Sequence, residues 1–133
     1  MKYVLVLGRF LYSLIFLFTM KGNFTSHAIE FAESKNVPLA FIMVPLSGII
    51  AIIGGLSILL GYKAKIGGWL IIIFLIPVTF LMHAFWNETD PMQIQMQVGN
   101  FMKNMALIGA AIYITYFGAG PISIDSLISR TGS

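Results

Sequence analysis

Residues 39–61, LAFIMVPLSGIIAIIGGLSILLG, and residues 66–86, IGGWLIIIFLIPVTFLMHAFW, are two apolar runs parted only by Tyr62-Lys63-Ala64-Lys65. A helix rises about 1.5 Å per residue and the hydrocarbon of a bilayer is about 30 Å thick, so about 20 apolar residues make one crossing. Both runs are long enough, and four residues between them leave room only for a sharp reversal. The pair reads as a transmembrane helical hairpin. Residues 3–20 and 98–117 have the same character. The expected fold is therefore an all-α membrane protein, a single domain over residues 1–133 built as a four-transmembrane-helix bundle.

Composition points the same way. Hydrophobic residues make up 58% of the chain and charged ones 10%, where soluble domains carry about 25% charged. A domain of this size buries only about two-thirds of the surface it exposes unfolded, so lipid must cover the remainder. The net charge of +3 comes from basic residues scattered at segment ends, which does not suggest a nucleic-acid partner. The absence of cysteine excludes dithiol chemistry, thiolate metal sites and iron–sulfur clusters. No nucleophile–base pair, acid dyad or H-E-x-x-H element is present, so neither a catalytic residue nor a metal site is expected.

The first apolar run is too long for the core of a signal peptide. It carries Arg9 and ends in Thr19-Met20-Lys21-Gly22 without a small-residue cleavage pattern, so it is read as the first span. Lys63 and Lys65 lie in the loop between the second and third spans, and Lys2 and Arg130 flank the termini. Four crossings put all of them on one side, and the bias of Lys and Arg toward the cytoplasm makes both termini cytoplasmic. Between the first two spans, Phe24, Ala28, Phe31 and Ala32 recur at helical spacing opposite Ser26, Glu30, Glu33 and Ser34. Residues 23–36 are accordingly expected to form a short interfacial helix, either a cover packed on the bundle or a lid over a site. Ser47, Ala51 and Gly55 in the second span, and Ala106, Gly109 and Ala110 in the fourth, form small-residue patches of the kind that let membrane helices approach closely.

Polar residues inside the apolar runs are the informative ones. Arg9 lies about two turns into the first helix, where a cation costs a few kcal/mol unless it snorkels or finds a partner. Asp125, beyond the fourth span, is the expected partner in a structural ion pair, brought under the bundle by a Gly-Pro turn at Gly120-Pro121. At the opposite end Gln93, Gln97, Asn100 and Asn104 share one helix face with Lys103 at its edge, and His83 and Asn87 share a face one turn apart. Antiparallel neighbours would bring these sets together. His83, Asn87, Gln97, Asn100, Lys103 and Asn104 are thus the candidate ligand-binding residues, in a pocket walled by Phe80, Phe85, Trp86 and Phe101. A hydrogen-bonded network joining the helices is the alternative reading of the same groups.

Several short pieces occur in a fixed order: Gly8-Arg9, Lys21-Gly22, Gly54-Gly55, Gly61-Tyr62-Lys63-Ala64-Lys65, His83-Ala84-Phe85-Trp86, Lys103-Asn104-Met105-Ala106-Leu107-Ile108-Gly109 and Gly118-Ala119-Gly120-Pro121-Ile122-Ser123-Ile124-Asp125. On these pieces the chain resembles the DoxX family nearly from end to end. The resemblance implies a bacterial or archaeal inner-membrane protein of four helices. Some relatives are linked to thiosulfate:quinone oxidoreductase or terminal oxidase assemblies and others to oxidative-stress complexes. One departure is visible. Ser47-Gly48 precedes Gly54-Gly55 with no acidic residue, where many members carry a glutamate, which weakens any proton relay.

Two expectations follow. In the first the chain is a small subunit of a membrane redox assembly that binds a quinone headgroup at His83, Lys103 and Asn104, with the chemistry supplied by a partner because the chain is not expected to be catalytic alone. In the second it is a non-catalytic assembly protein. The expected partners are the lipid bilayer and either other membrane-protein subunits or further copies of the chain.

Overall fold

The computed structural model describes residues 1–132, and of Thr19 and Met20 the backbone alone. Ser133, the last residue of the expected domain, lies outside the described residues. The chain folds as α1 (Lys2–Thr19), α2 (Ser26–Ser34), α3 (Ala40–Leu60), α4 (Ala64–Met82), α5 (Pro91–Phe117) and α6 (Ile124–Thr131), with 3-10 turns at Met20–Phe24 and Phe85–Asn87. No strand occurs among the described residues. Three helical segments, Lys2–Phe24, Ala40–Leu60 and Ala64–Asn87, are long and apolar enough to cross a membrane. At 27 residues α5 is the longest helix. It does not join those three, because Gln93, Gln95, Gln97, Asn100, Lys103 and Asn104 make its first half polar. The expectation of four like spans thus narrows to three apolar helices and one mixed helix.

The hairpin of the second and third helices is built as the sequence demands. Gly61 takes φ +68°, and the amides of Gly61 and Tyr62 close on the carbonyls of Ile58 (3.2 Å) and Ser57 (3.0 Å), which terminates α3. The Ser57 hydroxyl donates to the Tyr62 carbonyl at 2.6 Å and tightens the same turn. Farther along the seam the backbones nearly touch. A Cβ on Gly54 would stand 2.9 Å from the Ile71 side chain and 3.2 Å from the Gly67 carbonyl oxygen, so larger residues there would force α3 and α4 apart.

Central in the bundle, α4 packs on α3 and on α5, while α1 packs on α3. The Tyr12 hydroxyl donates to the Leu107 carbonyl at 2.7 Å and ties α1 to α5. Phe16, Ala51, Ile58, Ile71, Phe74, Leu75 and Ala111 fill the interior. Large apolar side chains such as Phe41, Ile53, Ile73, Ile112 and Phe117 point outward and stay exposed. In water that surface would be a liability; in lipid it is the solvated face.

The short helix expected between the first two spans is α2, narrower than 23–36. Asn23 and Phe24 belong to the preceding 3-10 turn, and Thr25 caps α2 by accepting the Ala28 amide at 3.3 Å. Two other boundaries differ from expectation. Helix α4 stops at Met82 with His83 as its cap, and α5 begins at Pro91 because Asp90 accepts the Met92 amide at 3.4 Å. The tail beyond Pro121, expected only as a turn, forms α6, capped by the Ser123 hydroxyl.

Candidate functional site

His83 sits where α4 ends, half-buried, and its Nδ1 lies 2.8 Å from Oε1 of Gln97 on α5. With the amide oxygen accepting, Nδ1–H donates, and Nε2 of the neutral ring remains an acceptor. Gln97 is 7% exposed, so this bond satisfies a group that would otherwise be costly to bury. Asn104 is also buried, two turns farther along α5, whereas Asn100 is half-buried and Lys103 is exposed. Asn87 does not share a helix face with His83: α4 has ended, and Asn87 is exposed in the 3-10 turn. The structure therefore brings His83 and Gln97 together and leaves Asn87 and Lys103 outside that contact.

The aromatic residues expected to wall a pocket close on one another instead. Phe80, Phe85 and Trp86 each pack against Phe101, with ring centroids 5.6, 5.4 and 6.0 Å away. Edge-on contacts of this kind are favourable, and they bend the chain after α4 so that Phe85 and Trp86 both reach α5. The rings thus pack on one another at this end of the α4–α5 seam.

The open space lies on the other side of His83. A cavity of about 490 Å³ runs beneath α2, between α3 and α4. Its walls are apolar, formed by Ala28 and Phe31 of α2, Val44 and Ile50 of α3, and Phe74 and Val78 of α4. Its polar groups are Asn23, Ser47 and His83. The Asn23 amide donates to Ser47 Oγ at 3.2 Å, and Ser47 itself donates to the Val44 carbonyl at 2.7 Å. Met43, Leu46, Ile73 and Leu81 line the cavity and are also exposed on the outer surface, so the space opens sideways between membrane-facing side chains. Lys35, at the end of α2, pairs with Glu88 at 2.8 Å and fastens the cover to the α4–α5 connection.

At the other end of the bundle Arg9 and Asp125 reach the same turn without pairing. The Asp125 carboxylate accepts the amides of Lys63 (2.6 Å) and Ala64 (3.0 Å), the first free N–H groups of α4, where the helix dipole favours an anion. The Asp125 amide donates to the Gly61 carbonyl at 2.8 Å. Arg9 Nη2 donates to the Ile122 carbonyl, and Nη1 lies against Gly61, where a Cβ would overlap it. No ion pair within 4.0 Å joins the two among the described residues, because each is already held by main chain.

The model of the SURF4 family matches residues 1–130. This chain belongs to the SURF4 family. The match overturns the DoxX resemblance. The short pieces that carried it, a Gly-Tyr-Lys turn, a Gly-Pro turn and Gly-Gly pairs, are what tight reversals and close packing require in a small helical membrane protein, and they report architecture in place of descent. The bacterial or archaeal inner membrane and the redox relatives were implied by that resemblance and lose their support with it. No solved structure matches the chain.

Of the cavity's polar groups, Ser47 and Asn23 are not among the residues expected from the sequence to bind a ligand: Ser47 reads there as a packing residue beside Ala51 and Gly55, and Asn23 as the edge of a connecting segment. A hydrogen-bonding serine within an otherwise apolar run was the available signal.

Proposed function

We propose that this SURF4-family chain is a four-span membrane protein that holds an uncharged lipophilic molecule beneath α2. The observation that supports this reading is the cavity of about 490 Å³, apolar along its walls and polar only at Asn23, Ser47 and His83. Such a site fits a ligand whose body is hydrocarbon and whose head offers a carbonyl or hydroxyl. Its lateral opening suits entry from the bilayer. A quinone is one molecule of that description, its carbonyl oxygens taking the place of the Val44 carbonyl or Ser47 Oγ as acceptor of the Asn23 amide, with any electron transfer left to a partner. At 27 residues and about 1.5 Å each, α5 is long enough to serve as the fourth crossing, with its polar half toward the His83 end. With four crossings, the bias of Lys and Arg toward the cytoplasm supports both termini lying with Lys63 and Lys65 on the cytoplasmic side. A cysteine replacing exposed Lys65 is then shielded from impermeant thiol reagents in intact cells while one replacing Thr89 reacts; the reverse pattern refutes the orientation.

Extraction of the purified protein and mass spectrometry of the extract tests the binding reading. The expected result is a stoichiometric lipophilic molecule that is lost from Ala28→Trp, which fills the cavity from its cover, and weakened in His83→Leu. An extract identical for the wild type and Ala28→Trp refutes it.

A second reading, an assembly subunit, is favoured by the surface of α5. Lys103 is exposed partway along the helix, and a Cβ on Gly109 would meet nothing within 4 Å. A lysine in lipid is costly, and a neighbouring subunit would relieve it.

A further inference from the structure

A second cavity, of about 510 Å³, lies at the opposite end of the bundle from α2, where α1, the end of α3 and α6 converge. Lys2, Arg9 and Arg130 line it together with Ser123 and Ser126, and no acidic side chain does. Among the described residues the carboxylate nearest this end is Asp125, which acts on Arg9 through its charge but gives its oxygens to the amides at the start of α4. Arg9 is incompletely satisfied. Its Nη2 reaches the Ile122 carbonyl, but Nε and Nη1 are buried with no hydrogen-bond partner. Buried donors without acceptors are uncommon and costly, and the guanidinium edge is the group that binds phosphate oxygens in pairs. Beside the cations, Leu59, Leu60 and Leu127 give the cavity an apolar wall.

We infer that this cavity binds a phosphate-bearing anion, with Arg9 as its inner donor and Lys2 and Arg130 as its outer cations. Basic pockets at the ends of membrane helices hold anionic headgroups by this combination of positive charge and adjoining apolar surface. A free phosphate presents the same oxygens without acyl chains. The inference concerns the end remote from α2 and does not rest on the lipophilic cavity there.

The test uses the full chain in neutral detergent at constant ionic strength, with the thermal unfolding midpoint read against added dioleoylphosphatidylglycerol, dioleoylphosphatidylcholine or inorganic phosphate. Phosphatidylglycerol is expected to raise the midpoint saturably and phosphatidylcholine to leave it unchanged. Lys2 and Arg130 are exposed, and each of Lys2→Gln and Arg130→Gln is read against its own unliganded midpoint. Each should weaken phosphatidylglycerol binding about fivefold and the pair about 25-fold. Inorganic phosphate that raises the midpoint and displaces the lipid assigns the site to free phosphate, and phosphate without effect assigns it to the headgroup. Equal responses to the two lipids, or unchanged phosphatidylglycerol affinity in the double variant, overturn the proposal.

Discussion

At the Gly61 end of the bundle Asp125 gives both carboxylate oxygens to main-chain amides, and Arg9 gives a donor to a main-chain carbonyl. At the His83 end Asn23 donates to Ser47 Oγ and, like Ser47, to the Val44 carbonyl, and His83 bonds to Gln97, beside an open cavity. The contrast is one of partner. A polar side chain tied to main chain locks a turn, and its loss frees backbone. The bond between His83 and Gln97 leaves Nε2 of the neutral ring as an acceptor, and that capacity can serve an uncharged ligand. Stability is therefore concentrated at the first end and binding capacity for uncharged molecules at the second.

The largest effect that would break this contrast is at Gly61. Gly61→Val places a branched side chain at φ +68° and into the space held by Arg9 and Ser123. Left-handed backbone costs about 1–2 kcal/mol and overpacking about 1–3 kcal/mol more, so a loss of roughly 3 kcal/mol is expected in detergent unfolding. A near-neutral result would show that the turn is not the locked element.

Next in size are Asp125→Ala and Arg9→Ala. Loss of a capping side chain costs about 1–2 kcal/mol, and because both residues hold one turn the double variant should be less than additive. Additive losses in the unfolding midpoints would separate the two clamps and dissolve the idea of a single locked end.

Lys35→Ala sharpens the other half of the comparison. The pair with Glu88 is about a quarter exposed on each side chain, and exposed ion pairs contribute under about 1 kcal/mol after solvent screening. Stability should scarcely move, while proteolysis within α2 should quicken as its fastening to Glu88 is lost. Unaltered cleavage would show that this contact does not hold the cover.

How much of this was legible in the sequence differs between the two ends. Apolar length and the Tyr62-Lys63-Ala64-Lys65 reversal suffice for the helices and their hairpin, since both depend on local composition. Convergence of Arg9 and Asp125 on one turn was also legible, but not their separate partners, because a carboxylate's preference for free amides at a helix start depends on where that start falls. At the His83 end, contiguous polar positions on α5 pointed to the α4–α5 seam. Aromatic rings pack on one another at that seam, and a cavity opens between α3 and α4, where residues 47 and 78 come together only through the tertiary fold. Side-chain periodicity names a face and does not say which neighbour leaves space beside it.

A density map of the purified protein in lipid nanodiscs tests the central claim most directly. Elongated density is expected beneath α2, running along Phe74 and Val78 and ending against Asn23, Ser47 and His83. A cavity closed by α2 settling onto α3, with no density between them, would contradict it.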